Sequence, residues 1–322
     1  MKKTLIALAA VAATGVAFAQ SSVTLSGKFG VGFGKAIAGD SGLVVTDGDI
    51  RFTATEDLGS GLRATAAMEL RVRGRGSVDA GPAACTALPC PAANSGVGGR
   101  NATVSLAGGF GSVTLGAVEA GNGIIARGFA GAPVALQTAY DGAILSGPAN
   151  VDWFMYTSPQ LIPGLTANYQ RVDSITAPGA GKGALQANVV GVNYAAGPIS
   201  AGLDYTQFSN DRKRVRLSAS YDLGVARVGF GMEDNRSIAG SDGRQYALGV
   251  SAPLGPVTVG AVYARNGEAF TGGGQSRGWA IGADYNLSKR TAVNFTYGDR
   301  QRVNGANDAN GDQYRIRLMH SF

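Results

Sequence analysis

Gln313-Tyr314-Arg315-Ile316-Arg317-Leu318-Met319-His320-Ser321-Phe322 is a strict alternation. Tyr314, Ile316, Leu318, His320 and Phe322 share one face. Gln313, Arg315, Arg317, Met319 and Ser321 share the other. A period of two is a β-strand, because successive side chains point to opposite sides. Arginines on one face and aliphatics on the opposite face describe a wall between water and an apolar phase. A soluble sheet can carry one such strand, but here the pattern recurs. Val215, Leu217, Ala219 and Tyr221 oppose Arg214, Arg216, Ser218 and Ser220. Trp279, Ile281, Ala283 and Tyr285 oppose Gly282 and Asp284.

Extended outward, the pattern predicts sixteen strands: 22–36, 48–57, 61–75, 99–108, 111–118, 150–157, 164–173, 186–196, 198–208, 213–222, 225–236, 243–252, 256–266, 277–286, 290–300 and 311–322. Short connections such as Ala196-Gly197-Pro198 and Asp222-Leu223-Gly224 carry turn chemistry. They alternate with longer ones, the rhythm of an antiparallel transmembrane barrel with tight turns at one rim and loops at the other. The expected fold is all-β: a 16-stranded antiparallel transmembrane β-barrel with an inward-folded third outer loop. A large soluble β-sandwich is the alternative. Sixteen strands leave an aqueous lumen rather than a packed interior. The longest connection, about 119–149, holds Glu119, Arg127, Phe129, Tyr140 and Asp141. It is too long for a hairpin, and it either folds inward or caps the barrel.

The other end carries an export signal. Lys2 and Lys3 precede the apolar stretch Leu5–Val16, and Ala17-Phe18-Ala19 is an A-x-A cleavage site. The expected organisation is a signal peptide over 1–19 and one barrel domain over 20–322. No other stretch is long and apolar enough for a transmembrane helix. Only 16% of residues are charged, against about a quarter in soluble domains. The net charge is +6, and removing Lys2 and Lys3 leaves +4. No basic block of the nucleic-acid kind is present.

Cys85 and Cys90 lie in the second outer loop. Export places them in an oxidising compartment, so a disulfide is the expectation. With no further cysteine and His320 as the only histidine, neither a metal site nor a histidine-based catalytic site is expected. No cofactor is expected. Gly30, Gly32 and Gly34 sit inside alternation with no following helix, so a dinucleotide reading fails its context.

The lumen face follows from parity. Met68, Leu70 and Val72 oppose Glu69, Arg71, Arg73 and Arg75. The apolar set faces out, so the arginines form a lumen column. Arg51 and Arg63 share that inward parity, as do Arg214, Arg216, Arg227, Arg315 and Arg317. Glu119 and Arg127 belong to the long connection. Guanidinium stays charged, and a ring of it favours anions. Pairing of these arginines with Glu69, Asp204 or Asp284 is the competing reading. Small residues on the outward faces of the first strands, Gly30, Ala54, Ala64 and Ala66, suit close approach of neighbouring barrels.

Five segments together resemble the trimeric general porins of the Gram-negative outer membrane. They are Gln20-Ser21-Ser22-Val23-Thr24-Leu25, Thr55-Glu56-Asp57-Leu58-Gly59-Ser60-Gly61-Leu62, the run from Val104 to Gly116, Asn286-Leu287-Ser288-Lys289-Arg290-Thr291, and His320-Ser321-Phe322. The resemblance implies a homotrimer, a third outer loop folded into each barrel, and contact with membrane lipid and lipopolysaccharide. It implies that Phe322 is read by the barrel-assembly machinery. Arg100 falls where the family tends to have a basic residue, while Asp49 and Ala117 replace arginines common in the family. The expected function is a diffusion porin for small anions and hydrophilic solutes; a substrate-specific anion or organic-acid channel of the same barrel type is the alternative. A plugged structural or adhesive barrel is the third possibility.

Overall fold

Sixteen strands close on themselves in the computed structural model, which describes residues 21–35, 40–72, 97–134, 145, 149–176, 185–236, 243–267, 275–303 and 310–322. The strands are β1 (Ser22–Lys35), β2 (Ser41–Gly59), β3 (Leu62–Val72), β4 (Val97–Gly108), β5 (Gly111–Ala120), β6 (Ala149–Thr157), β7 (Leu165–Thr176) and β8 (Leu185–Ala196). They continue as β9 (Ile199–Phe208), β10 (Lys213–Asp222), β11 (Arg227–Arg236), β12 (Gly243–Leu254), β13 (Val257–Asn266), β14 (Gln275–Asn286), β15 (Thr291–Val303) and β16 (Gly311–Ser321). Each pairs antiparallel with the next, and β16 closes on β1 from Lys28↔Ser321 to Lys35↔Tyr314. A helical turn, α1 (Ile125–Gly128), follows β5. Among the described residues no helix is long and apolar enough to cross a membrane. The expected signal peptide, Cys85, Cys90, Arg73, Arg75, Tyr140 and Asp141 lie outside the described residues.

The burial pattern is inverted relative to a soluble protein. Trp279, Ile281, Leu248, Phe230, Ile316 and Leu318 are exposed, at 37% to 52%. Glu233, Gln245, Asn266 and Thr206 are fully buried. Such a continuous apolar exterior far exceeds the patches a soluble monomer tolerates. It fits hydrocarbon, where a closed ladder satisfies every wall amide and carbonyl.

Turn chemistry follows the sequence. Asp222 Oδ1 accepts the Gly224 N–H at 2.8 Å, and Gly224 takes a φ of 82°. Gly111, at φ 99°, presses so close to the Thr157 carbonyl that a side chain would collide with it.

Two bulges change the reading of the first strands. β2 begins at Ser41, seven residues before its expected start at residue 48. Its register with β1 shifts between Gly30 and Val31, which leaves Thr46 unopposed and reverses the alternation there. Gly30 lies on the inward face rather than outward. A Cβ on it would stand 2.7 Å from Thr46 Oγ1. Ala54, Ala64 and Ala66 have the outward parity of Phe52 and Met68.

Phe322 extends the closure beyond the last strand. Its N–H donates to the Gly27 carbonyl and its carbonyl accepts the Gly27 N–H, each at 3.0 Å. These two bonds cover what is otherwise an open edge. Deleting Phe322 is predicted to lower the amount of protein inserted while leaving surviving channels with near-normal conductance. Quantifying folded protein in outer-membrane fractions checks this, and undiminished insertion would refute it.

Candidate functional site

The lumen wall of β1 to β5 carries a compact ionic network. The Glu69/Leu70 register shift between β3 and β4 leaves Arg100 without a partner residue on β3. Strict alternation from Asn101 would turn Arg100 outward, and the bulge turns it into the lumen. Its Nη1 donates to Asp49 Oδ2 at 3.1 Å and Glu69 Oε1 at 3.0 Å, and its Nε donates to Glu119 Oε2 at 3.1 Å. Arg71 Nη2 reaches the same Glu119 oxygen at 2.7 Å. Lys28 Nζ sits 2.9 Å from Asp47 and 3.7 Å from Asp49, and Arg317 also pairs with Asp47. Asn101 locks the arrangement, donating to Glu69 at 3.0 Å and accepting the Glu119 N–H at 2.9 Å. Lys28, Arg71, Arg100 and Arg317 therefore face Asp47, Asp49, Glu69 and Glu119, with no surplus charge among them.

Several expected lining residues thus meet in one place. Arg71, Arg100, Glu69 and Glu119 form a single network, and Glu119 belongs to the end of β5. Arg51 and Arg63 are exposed on the inward parity of β2 and β3. Among the described residues, no carboxylate lies within ion-pair distance of Arg51, Arg63, Arg127 or Arg214. Sequence reasoning noted Asp49 only as a departure and missed Lys28 and Asp47. The available signal was charge within an otherwise apolar alternation, obscured by the Thr46 bulge.

The opposite wall differs in chemistry. Arg216 pairs with the buried Glu233. The guanidinium carbons of Arg212 and Arg214 stand 3.9 and 5.2 Å from the Phe208 ring centre. Arg127, in α1, donates to three neutral oxygens: Ser200 Oγ at 2.9 Å, Ser218 Oγ at 3.4 Å and Asn193 Oδ1 at 2.9 Å. These bonds orient the guanidinium without cancelling its charge.

Residues 121–134 lie against one side of the wall. Ile124 and Phe129 pack with Ala247, Val262, Ala264 and Ala280. Ser251 Oγ donates to the Ala130 carbonyl at 2.6 Å, and Asn294 Nδ2 donates to the Pro133 carbonyl at 3.1 Å. Asn122 Nδ2 donates to the buried Gln245 Oε1 at 3.1 Å. Each of these wall residues has the parity opposite to the exposed Leu248, Tyr263, Trp279 and Phe295. Among the described residues there is no group of three potential metal ligands.

A closed wall, apolar outside and polar inside, defines an integral transmembrane β-barrel. A profile of Gram-negative porins matches residues 4–305, and the chain belongs to that family, whose members reside in the outer membrane as channels. Outer membrane porin protein 32 of Delftia acidovorans is 32% identical over 337 aligned positions, covering 91% of this chain and 88% of that protein. The anion-selective porin from Comamonas acidovorans superimposes with a TM-score of 0.66 at 25% identity, over 94% of this chain and all of that one. The outer membrane channel DcaP of Acinetobacter baumannii shares the fold alone, with a TM-score of 0.68 at 10% identity over 94% and 97%.

Proposed function

We propose that this porin prefers anions. The observation carrying the proposal is a set of inward-facing arginines that no acid reaches at ion-pair distance, beside a network whose charges cancel. Asp47, Asp49, Glu69 and Glu119 are spent on Lys28, Arg71, Arg100 and Arg317, whereas among the described residues no carboxylate lies within ion-pair distance of Arg51, Arg63, Arg127 or Arg214. A lumen with low-dielectric walls focuses such uncompensated charge on passing ions. The anion-selective porin from Comamonas acidovorans is consistent with this reading. The 121–134 segment is read as part of an inward-folded third outer loop that narrows the passage. Arg73 and Arg75 are read as continuing the inward parity of Arg71.

The test is the reversal potential of the purified protein in a planar bilayer under a potassium chloride gradient. It should have the sign of chloride preference and should weaken as salt rises, since the screening length falls from about 10 Å at 0.1 M to about 3 Å at 1 M. A cation-preferring potential would overturn the proposal.

The assembled form is read as a homotrimer in contact with lipid and lipopolysaccharide. Ala54, Ala64 and Ala66 allow close approach of barrels, and one Vibrio cholerae protein of the same fold is described as a trimer form. Native mass in mild detergent should give three copies, and monomer alone would refute it. Intact mass of the exported chain should begin at Gln20 and fall two hydrogens short of the reduced value, reporting a Cys85–Cys90 bridge. Any other mass rejects the cleavage site or the bridge.

A further inference from the structure

We propose that six inward-facing glycines, Gly202, Gly229, Gly231, Gly249, Gly260 and Gly282, form a seat that sets the depth of residues 121–134 and hence the channel cross-section. This rests on the reading that the segment narrows the pore. Glycine in a strand interior weakens the strand and often marks a close approach of another backbone. Here a backbone approach is observed on four neighbouring strands, β11 to β14, and on β9 the Arg127 side chain closes over Gly202. Gly229 and Gly249 are direct cross-strand partners, as are Gly260 and Gly282.

A Cβ on any of the six would collide with the segment. On Gly231 it would lie 2.7 Å from the Ile124 carbonyl oxygen, and on Gly260 it would lie 2.6 Å from Ala132 Cβ. On Gly202 it would lie 2.6 Å from an Arg127 guanidinium nitrogen. On Gly229, Gly249 and Gly282 it would fall still closer, against the backbone of Arg127, Phe129 and Pro133. Ordinary contact begins near 3.4 Å, so at Gly202 an added methyl shifts the Arg127 side chain, and at the other five it must displace the segment or the wall. The hydrogen bonds from Ser251 and Asn294 to segment carbonyls hold it against this surface. Backbone lying on backbone leaves the segment as far from the barrel axis as the chain permits. The seat keeps the lumen wide, and larger residues would push the segment inward.

Single-channel conductance at high salt tests this. Gly249→Ala adds the methyl from the wall. Gly128→Ala adds it from the segment, where a Cβ would stand 2.9 Å from Ala247 Cβ; alanine is at home in that helical turn, and the wall is unaltered. Both variants should lose conductance. Gly99→Ala, whose Cβ would meet nothing within 4 Å, should match the parent. Deleting residues 123–132 should raise conductance, and adding Gly249→Ala to that deletion should then change nothing. If Gly249→Ala does not insert, Gly128→Ala decides alone. Parental or raised conductance in the alanine variants, with the deletion still raising it, overturns the seat and leaves the narrowing intact. A deletion that leaves conductance unchanged overturns the narrowing and the seat together.

Discussion

The Arg127→Ser, Arg214→Ser double variant is expected to lose most of its anion preference. Each substitution removes one positive charge that, among the described residues, has no carboxylate within ion-pair distance. Arg214 projects from the wall opposite the ionic network and Arg127 lies against that wall from α1, so the network's acids then face a less basic passage. The shift should be largest at low salt, where screening is weakest. The informative control is charge-balanced. Arg100→Ser with Glu69→Gln removes one member of each sign from a single contact of 3.0 Å, and the preference should stay near the parent. Reversal potentials of the two variants and the parent, measured in the same gradient, compare them directly. If the balanced pair moves the potential and the double serine variant does not, the neutral network rather than the acid-free arginines governs selection.

Leu248→Arg is expected to cost roughly 2–4 kcal/mol of folding free energy, the range for arginine on a lipid face near the bilayer midplane. Leu248 is 46% exposed in the middle of β12, between Phe230 and Tyr263. In hydrocarbon the guanidinium must reach the interface or carry water with it. Thr258→Arg is the contrasting variant. Thr258 faces the lumen opposite Asp284, so the same side chain meets water and an acid there. Urea titration of folded protein in lipid vesicles reads both. Equal stability of the two variants would mean that the inside and outside assignments are wrong.

Much of this was legible in order along the chain. Alternation in 213–222 and 311–322 located strands, their facing and the lumen arginines, because side-chain direction in a strand depends on neighbouring residues alone. Tight turns such as Asp222-Leu223-Gly224 were visible because they place Gly where φ is positive. The segments from Thr55 and Val104 carried the family.

Alternation failed where the ladder is irregular. One extra residue at Thr46 hid the first seven residues of β2, and another at Arg100 reversed the direction of the side chain at the centre of the ionic network. Neither bulge can be read from one strand, since each is a mismatch between two.

Alternation, turn residues and the segments that carry the family are enough to make this protein a sixteen-stranded outer-membrane barrel with basic residues on its inner face. Which of those residues meet an acid depends on contacts that only the folded barrel makes. Arg71 is 48 positions from Glu119 and Arg127 is 91 from Ser218. Such pairings depend on closure, register and the path of the segment across the wall. Coulomb interaction falls with distance through space, and only the closed barrel sets those distances.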